Sequence, residues 1–130
     1  MIGVTVRTRS DIPKVIRKAR KANIVNLAHA GAAIRLTARR SIRKSKKSSP
    51  AGSPPHTRQG LMRRAILYGV EKEKQRVTIG PAYSKAGPSA MAHEHGGRFR
   101  GRRYKKRAFM GPALKKMKSK LPRKWAGSIK

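Results

Sequence analysis

Ile12, Ile16, Ala19, Asn23, Leu27, Ala30, Ile34 and Ala38 recur at intervals of three and four residues. That spacing gathers side chains on one side of an α-helix. Val15, Ala22, Asn26, Ala33 and Thr37 widen the stripe. The pattern predicts one helix over residues 10–47, on the order of 50 Å long, against which everything else must pack. Ser10 reads as its N-cap, Asp11 suits the first turn, and Pro13 falls early enough to be tolerated. Its middle, "IVNLAHAGAAI", is apolar nearly all round, which predicts a sheet on one side and a second neighbour opposite. Its last turns, "RRSIRKSKK", place cations at the negative end of the helix dipole.

The other segments are short. "IGVTVRTR" alternates at Ile2, Val4 and Val6 and predicts a strand over 2–9. The Pro- and Gly-rich residues 48–57 end the long helix, and Thr57 reads as the cap of a short helix over "RQGLMRRAI". Alternation at Ile66, Tyr68 and Val70 and again at Val77 and Ile79, across a four-residue "KEKQ" loop, predicts a hairpin, so 58–81 is a short helix plus hairpin. Residues 82–107 read as an extended basic loop region with at most one turn of helix. Residues 108–126 supply a returning strand at "KRAFM" and a terminal helix, with Pro112 near its start and Pro122 limiting its end. The expected architecture is α+β in one domain, 1–130: a long N-terminal helix packed on a small, mainly antiparallel sheet, with a basic loop insertion and a short C-terminal helix. Leu27, Ala30 and Ile34 are expected to face Val77, Ile79 and Phe109 across the core.

Charge limits what such a fold can do. Thirty-five Lys and Arg face four acids, Asp11, Glu71, Glu73 and Glu94, for a formal charge of +31. A copy alone repels itself, so the chain demands polyanionic surroundings or acidic partners. High charge with few aromatics favours disorder, but 37% of the residues are hydrophobic and they are patterned, which favours a folded core with basic extensions. There is no cysteine, hence no disulfide or thiolate metal site. No apolar run reaches ~20 residues and "MIGVTVRTRS" lacks signal-peptide order, so the expectation is a protein made in the cytoplasm without a membrane span.

Catalysis finds little support. Four scattered acids offer no paired carboxylates, and no phosphate-binding glycine loop or nucleophile elbow occurs. "HEHGG" would set His93 and His95 on one strand face, but zinc needs further ligands, and only His29 and His56 remain. A strand-edge turn at Gly96 and Gly97 is the simpler reading, with no metal and no cofactor expected. Glu94, among so many cations, is expected to form an ion pair, between subunits or within one.

A set of short landmarks appears in a particular order: Thr57, Gly60, Leu61 and Arg63; then "VTIGP" with Val77, Ile79, Gly80 and Pro81; then "HEHG" with His93, Glu94 and Gly96; then "RAFMGPAL" with Arg107, Phe109, Met110, Pro112, Ala113 and Leu114. In that order they resemble the tail-completion or head–tail joining proteins of tailed bacteriophages, of the siphophage type, over most of residues 10–120. The "TRQGLMRR" spacing is one residue longer than that family's, and the charge is higher. The resemblance implies a non-enzymatic ring component of the virion neck, between the capsid connector and the tail tube, enclosing the DNA channel. It implies a homo-oligomer, six copies rather than twelve, with connector, neck and tail-tube proteins as partners. It also makes the basic run an insertion between landmarks.

Arg98, Arg100, Arg102, Arg103, Lys105, Lys106 and Arg107 are then the expected contacts to lumenal double-stranded DNA or to acidic neighbours, with Arg63 and Arg64 as further candidates. Six copies at +31 each carry +186, whereas duplex DNA over a ~50 Å lumen carries about 30 phosphate charges. Acidic faces of neighbouring rings must therefore meet much of the basic surface. The alternative is a nucleic-acid-binding protein of ribosomal or chromatin type, for which "RFRGRRYKKR" offers Phe99 and Tyr104 interleaved with cations.

Overall fold

The computed structural model of the chain describes residues 2–129. Helix α1 spans Ile12–Ser41. Its N-cap is Asp11 rather than Ser10: the Asp11 carbonyl accepts from the N–H groups of Lys14 and Val15 at 3.0 and 3.1 Å. The helix stops at Ser41 instead of running to residue 47. There the Ser41 hydroxyl donates to the Ala38 carbonyl at 2.7 Å, competing with the helical ladder. Ile42 then turns to extended backbone and enters the core. The basic residues beyond pair with the end of the Pro-rich loop, Thr57 N–H donating to Arg43 and Ser45 N–H to Thr57.

Strands β1 (Ile66–Glu71) and β2 (Arg76–Pro81) form the expected antiparallel hairpin with its turn at 72–75. It crosses α1 at Gly31, which explains a glycine in mid-helix. A methyl group there would lie 2.7 Å from Val77 Cγ2 and 2.8 Å from Tyr68 Cδ2. Side chains fix both ends of the hairpin. Arg35 Nε donates to the Ile66 carbonyl at 2.8 Å, and Asn23 Nδ2 donates to Gln75 Oε1 at 2.9 Å. Asn23 Oδ1 in turn accepts from Trp125 Nε1 at 2.8 Å, which ties down the C-terminal segment. Gly31→Ala gains about 1 kcal/mol of helix propensity, but overpacking costs about 1–3 kcal/mol. The expected result is a net loss of about 1 kcal/mol in urea unfolding; a stabilised variant would mean that the hairpin does not seat on this glycine.

Three shorter helices and a second hairpin complete the α+β architecture. Helix α2 is Leu61–Ala65; α3 is Tyr83–His95; β3 (Gly97–Phe99) pairs with β4 (Arg102–Tyr104); α4 is Met110–Lys118, followed by a 3-10 turn at Pro122–Lys124. The core gathers Ala38, Ile42, Ile66, Ala90, Phe109 and Ala113, with Met62, Ile79, Ala86 and Met110 packed around it. α1 meets the first hairpin and α4, the two neighbours its all-round apolarity required.

Several sequence expectations are corrected. Residues 2–9 pair with no strand among the described residues, and Ile2, Val4 and Val6 are 94%, 82% and 82% exposed. Residues 82–107 are not an extended loop: Gly87 (φ 53°, ψ −155°) breaks the helical run, and Pro88 restarts it, so breakers that read as a loop only kink α3. "KRAFM" is not a strand, because Phe109 caps α4 and its ring drops into the core. Ile34 is buried, but Leu27 is only half-buried and Leu61 and Pro112 are exposed, so the core sits nearer the C-terminal half of α1 than expected. Thr57 Oγ1 accepts from the Gly60 N–H at 3.1 Å, and Gly60 (φ 79°) is itself the N-cap of α2.

Candidate nucleic-acid interface

The basic run folds as a hairpin because of its turn. Arg100 and Gly101 take φ 48° and 73°, the double positive that two-residue hairpin turns need. Its base is closed by main-chain bonds: Arg107 N–H donates to the His93 carbonyl at 2.7 Å, and Gly52 N–H to the Lys106 carbonyl at 2.9 Å. Aromatic packing holds one face down. Tyr104 meets the His93 ring edge-on at 5.2 Å between centroids and lies 6.1 Å from Phe99, with the Arg100 guanidinium 5.3 Å over Phe99.

Arg98, Arg100, Arg102, Arg103, Lys105 and Lys106 are all exposed on or beside this hairpin. Arg98 and Arg103 are directly opposed across the strands. Like charges facing each other weaken a strand pair, so an anion laid across them would strengthen the hairpin as well as bind it. Between the hairpin and the Pro-rich loop runs an open cleft, from Ala51 and Gly52 to Arg103, Lys105 and Lys106, with His95 at one side. Its lining is cationic and backbone-rich, which suits phosphate or carboxylate groups.

Not every expected contact belongs here. Arg107 is half-buried, and its Nε donates to the Ser49 carbonyl at 2.9 Å, bracing the Pro-rich loop. Arg63 and Arg64 lie on α2, where Arg64 Nη2 donates to the Gln59 carbonyl at 3.3 Å. No hydrogen bond or ion pair joins them to the hairpin among the described residues.

Within the chain, Glu94 forms no ion pair among the described residues. Its carboxylate accepts the backbone N–H groups of Phe109, Met110 and Gly111 at 2.8, 2.9 and 2.8 Å, capping α4 from a different helix. Burial alone would raise its pKa, but these three donors, with the His95 charge, together outweigh it and the net shift is downward. His93 and His95 are two residues apart on a helix, not a strand, so they point different ways. His93 faces inward, and burial, then the Arg107 charge, pushes its pKa down. Among the described residues no three His, Asp or Glu side chains gather where they could hold a metal ion, and no helix is long and apolar enough to cross a membrane. The Glu94 clamp was missed from sequence because a carboxylate capping a helix 15 residues away leaves no local signature. Gly31 did carry one, a lone glycine inside a strong helical stripe.

Compared with known proteins, the chain matches no family model, no curated protein and no solved structure.

Proposed function

We propose that the chain is a structural virion protein of a tailed phage: a tail-completion or head–tail joining ring component at the neck, without catalysis. It would act as a homo-oligomeric ring, of six copies rather than twelve, enclosing genomic DNA and meeting acidic faces of connector and tail-tube proteins. One observation carries the reading. The ordered landmarks fall where this fold turns or locks: Thr57 and Gly60 at the entry to α2, Val77 and Ile79 on the strand over α1, Glu94 on the cap of α4, and Phe109 in the core. A structural role also fits the acids. Asp11 pairs with Lys14, Glu71 with Arg76 and Lys74, and Glu94 with backbone, leaving Glu73 exposed on the hairpin turn.

The basic hairpin is the contact surface in this reading. Replacing Arg100, Arg102, Arg103, Lys105 and Lys106 with Ser leaves every core residue in place and should preserve the fold. Particles assembled with that variant should accumulate as separate filled heads and tails, more severely as salt rises and the remaining contacts are screened. Normal joining at all salt concentrations would reduce the hairpin to a solvated surface and remove this role. A second reading, a ribosomal or chromatin-type binder, is favoured by the Arg100–Phe99 stack, a pairing suited to unstacked bases. Recovery of the protein on ribosomal RNA, rather than in the virion neck, would select it.

A further inference from the structure

The segment 2–9 has the composition of a strand and no strand to join. Ile2, Val4 and Val6 alternate with Gly3, Thr5 and Arg7, and all three apolar side chains stand in solvent. The β1–β2 sheet has the converse defect. It holds two strands only, so each has one unpaired edge, and no other strand is bonded to either among the described residues. Exposed edges are templates for further strands.

The two edges are not equal. The β1 edge is obstructed where Arg35 occupies the Ile66 carbonyl. On β2 the ladder alternates from the Ala82 N–H to Ala65 carbonyl bond, so Gly80 and Thr78 point their backbone groups at β1. Val77 and Ile79 point theirs outward. Pro81, with no N–H to offer, ends the available edge.

We infer that residues 2–9 of one copy add as a strand to the free edge of β2 in a second copy, antiparallel, with Val4 opposite Ile79 and Val6 opposite Val77. This register satisfies the outward backbone groups of both β2 residues. Opposite residues share a face, so it continues the Val77–Ile79 side, the side on which Val77 meets α1. It also places Arg9 opposite Lys74 and beside Glu73, at the hairpin end where two of the four acids, Glu71 and Glu73, stand among Lys72, Lys74 and Arg76. Glu73 has no ion pair among the described residues, and Glu71 lies at the same end of the hairpin. Glu73 gives Arg9 one complementary charge, whereas Arg7 facing Arg76 and Arg9 facing Lys74 are like pairs, so the strand should add more readily where salt screens them. Strand donation gives the proposed ring its subunit contact and rests on that ring, not on DNA or on neighbouring neck proteins.

The register sets Thr5 opposite Thr78, a non-hydrogen-bonded pair of the kind that brings side chains closest. Because the chain has no cysteine, a disulfide reports that pairing cleanly. Thr5→Cys and Thr78→Cys proteins are mixed in ~1 M salt, where charge repulsion is screened to ~3 Å, and oxidised. A covalent heterodimer is expected, whereas Thr8→Cys mixed with Thr78→Cys, three residues out of register, should not couple. Adding Val4→Pro or Val6→Pro to the Thr5→Cys chain removes a backbone donor and should lower the yield by roughly tenfold each. Circular dichroism should stay unchanged, since the arm lies outside the core. Closure of a Thr5→Cys/Thr78→Cys chain only on itself overturns the exchange, as does an equal heterodimer yield with proline. A ring that forms with no such cross-link overturns strand donation and leaves the ring standing. Failure to assemble under any condition removes both.

Discussion

Phe109→Ala is expected to leave the protein only marginally folded at room temperature. Phe109 is 1% exposed and is the largest fully buried side chain in the core, touching elements from both ends of the chain. Truncating such a ring costs about 3–5 kcal/mol, because the lost burial and the cavity add. A domain of this size has about 5–15 kcal/mol in total, and +31 of self-repulsion places this one at the low end. The urea midpoint should fall by roughly 2 M if m is about 2 kcal/mol per M. Leu61→Ala provides the contrast: the side chain is 53% exposed and should cost under about 0.5 kcal/mol. Equal unfolding midpoints for the two variants would show that the core is not built around Phe109.

Glu94→Gln should cost about 2–3 kcal/mol at neutral pH, with an acid signature that Phe109→Ala lacks. The carboxylate accepts three backbone donors and faces the positive end of α4; an amide accepts through one oxygen only and carries no charge. A carboxyl whose pKa is lower folded than unfolded contributes its full stabilisation above the unfolded value, near 4.5. That contribution disappears as pH falls through the folded pKa. His93 acts in the same direction somewhat earlier: its lowered pKa means that the unfolded chain takes the proton first, so stability begins to fall below about 6.5. In a series of urea titrations from pH 7 to 3, the parent should therefore lose stability in two stages. Glu94→Gln should keep the first and lose most of the second. An unchanged second stage would mean that the carboxylate is not what holds α4.

The parts of the fold visible in the sequence were those whose signal is periodic and local. The stripe through Ala30, Ile34 and Ala38 and the alternation of 66–70 and 77–79 each survive in the structure as α1 and the β1–β2 hairpin. What the residues did not disclose depends on pairing at a distance. Gly87 and Pro88 look like a loop, and only the burial of Ala90 and Ala92 against neighbouring elements makes that stretch helical. Arg107 sits in a run of cations with nothing to distinguish it, yet its partner is the Ser49 carbonyl, 58 residues away. Of the basic residues singled out for contact, the six exposed on or beside the second hairpin stay together. Arg63 and Arg64 separate from them because they lie on α2, where Arg64 donates to the Gln59 carbonyl, and Arg107 because it donates to the Ser49 carbonyl.

The clamp at the base of the second hairpin has a consequence for how such a chain can diversify. His93 and Glu94 on one side are joined to Arg107, Phe109, Met110 and Gly111 on the other, so the 12 residues from His95 to Lys106 leave and re-enter through a fixed doorway. Whatever is inserted there is mechanically insulated from the core. Its length and its charge can drift, lengthen or reverse sign under selection for a different neighbour, while the same helices and the same first hairpin continue to fold beneath it. The doorway makes this stretch an exchangeable cassette, and the two residues least free to change around it are the glutamate that latches it and the phenylalanine it is latched to.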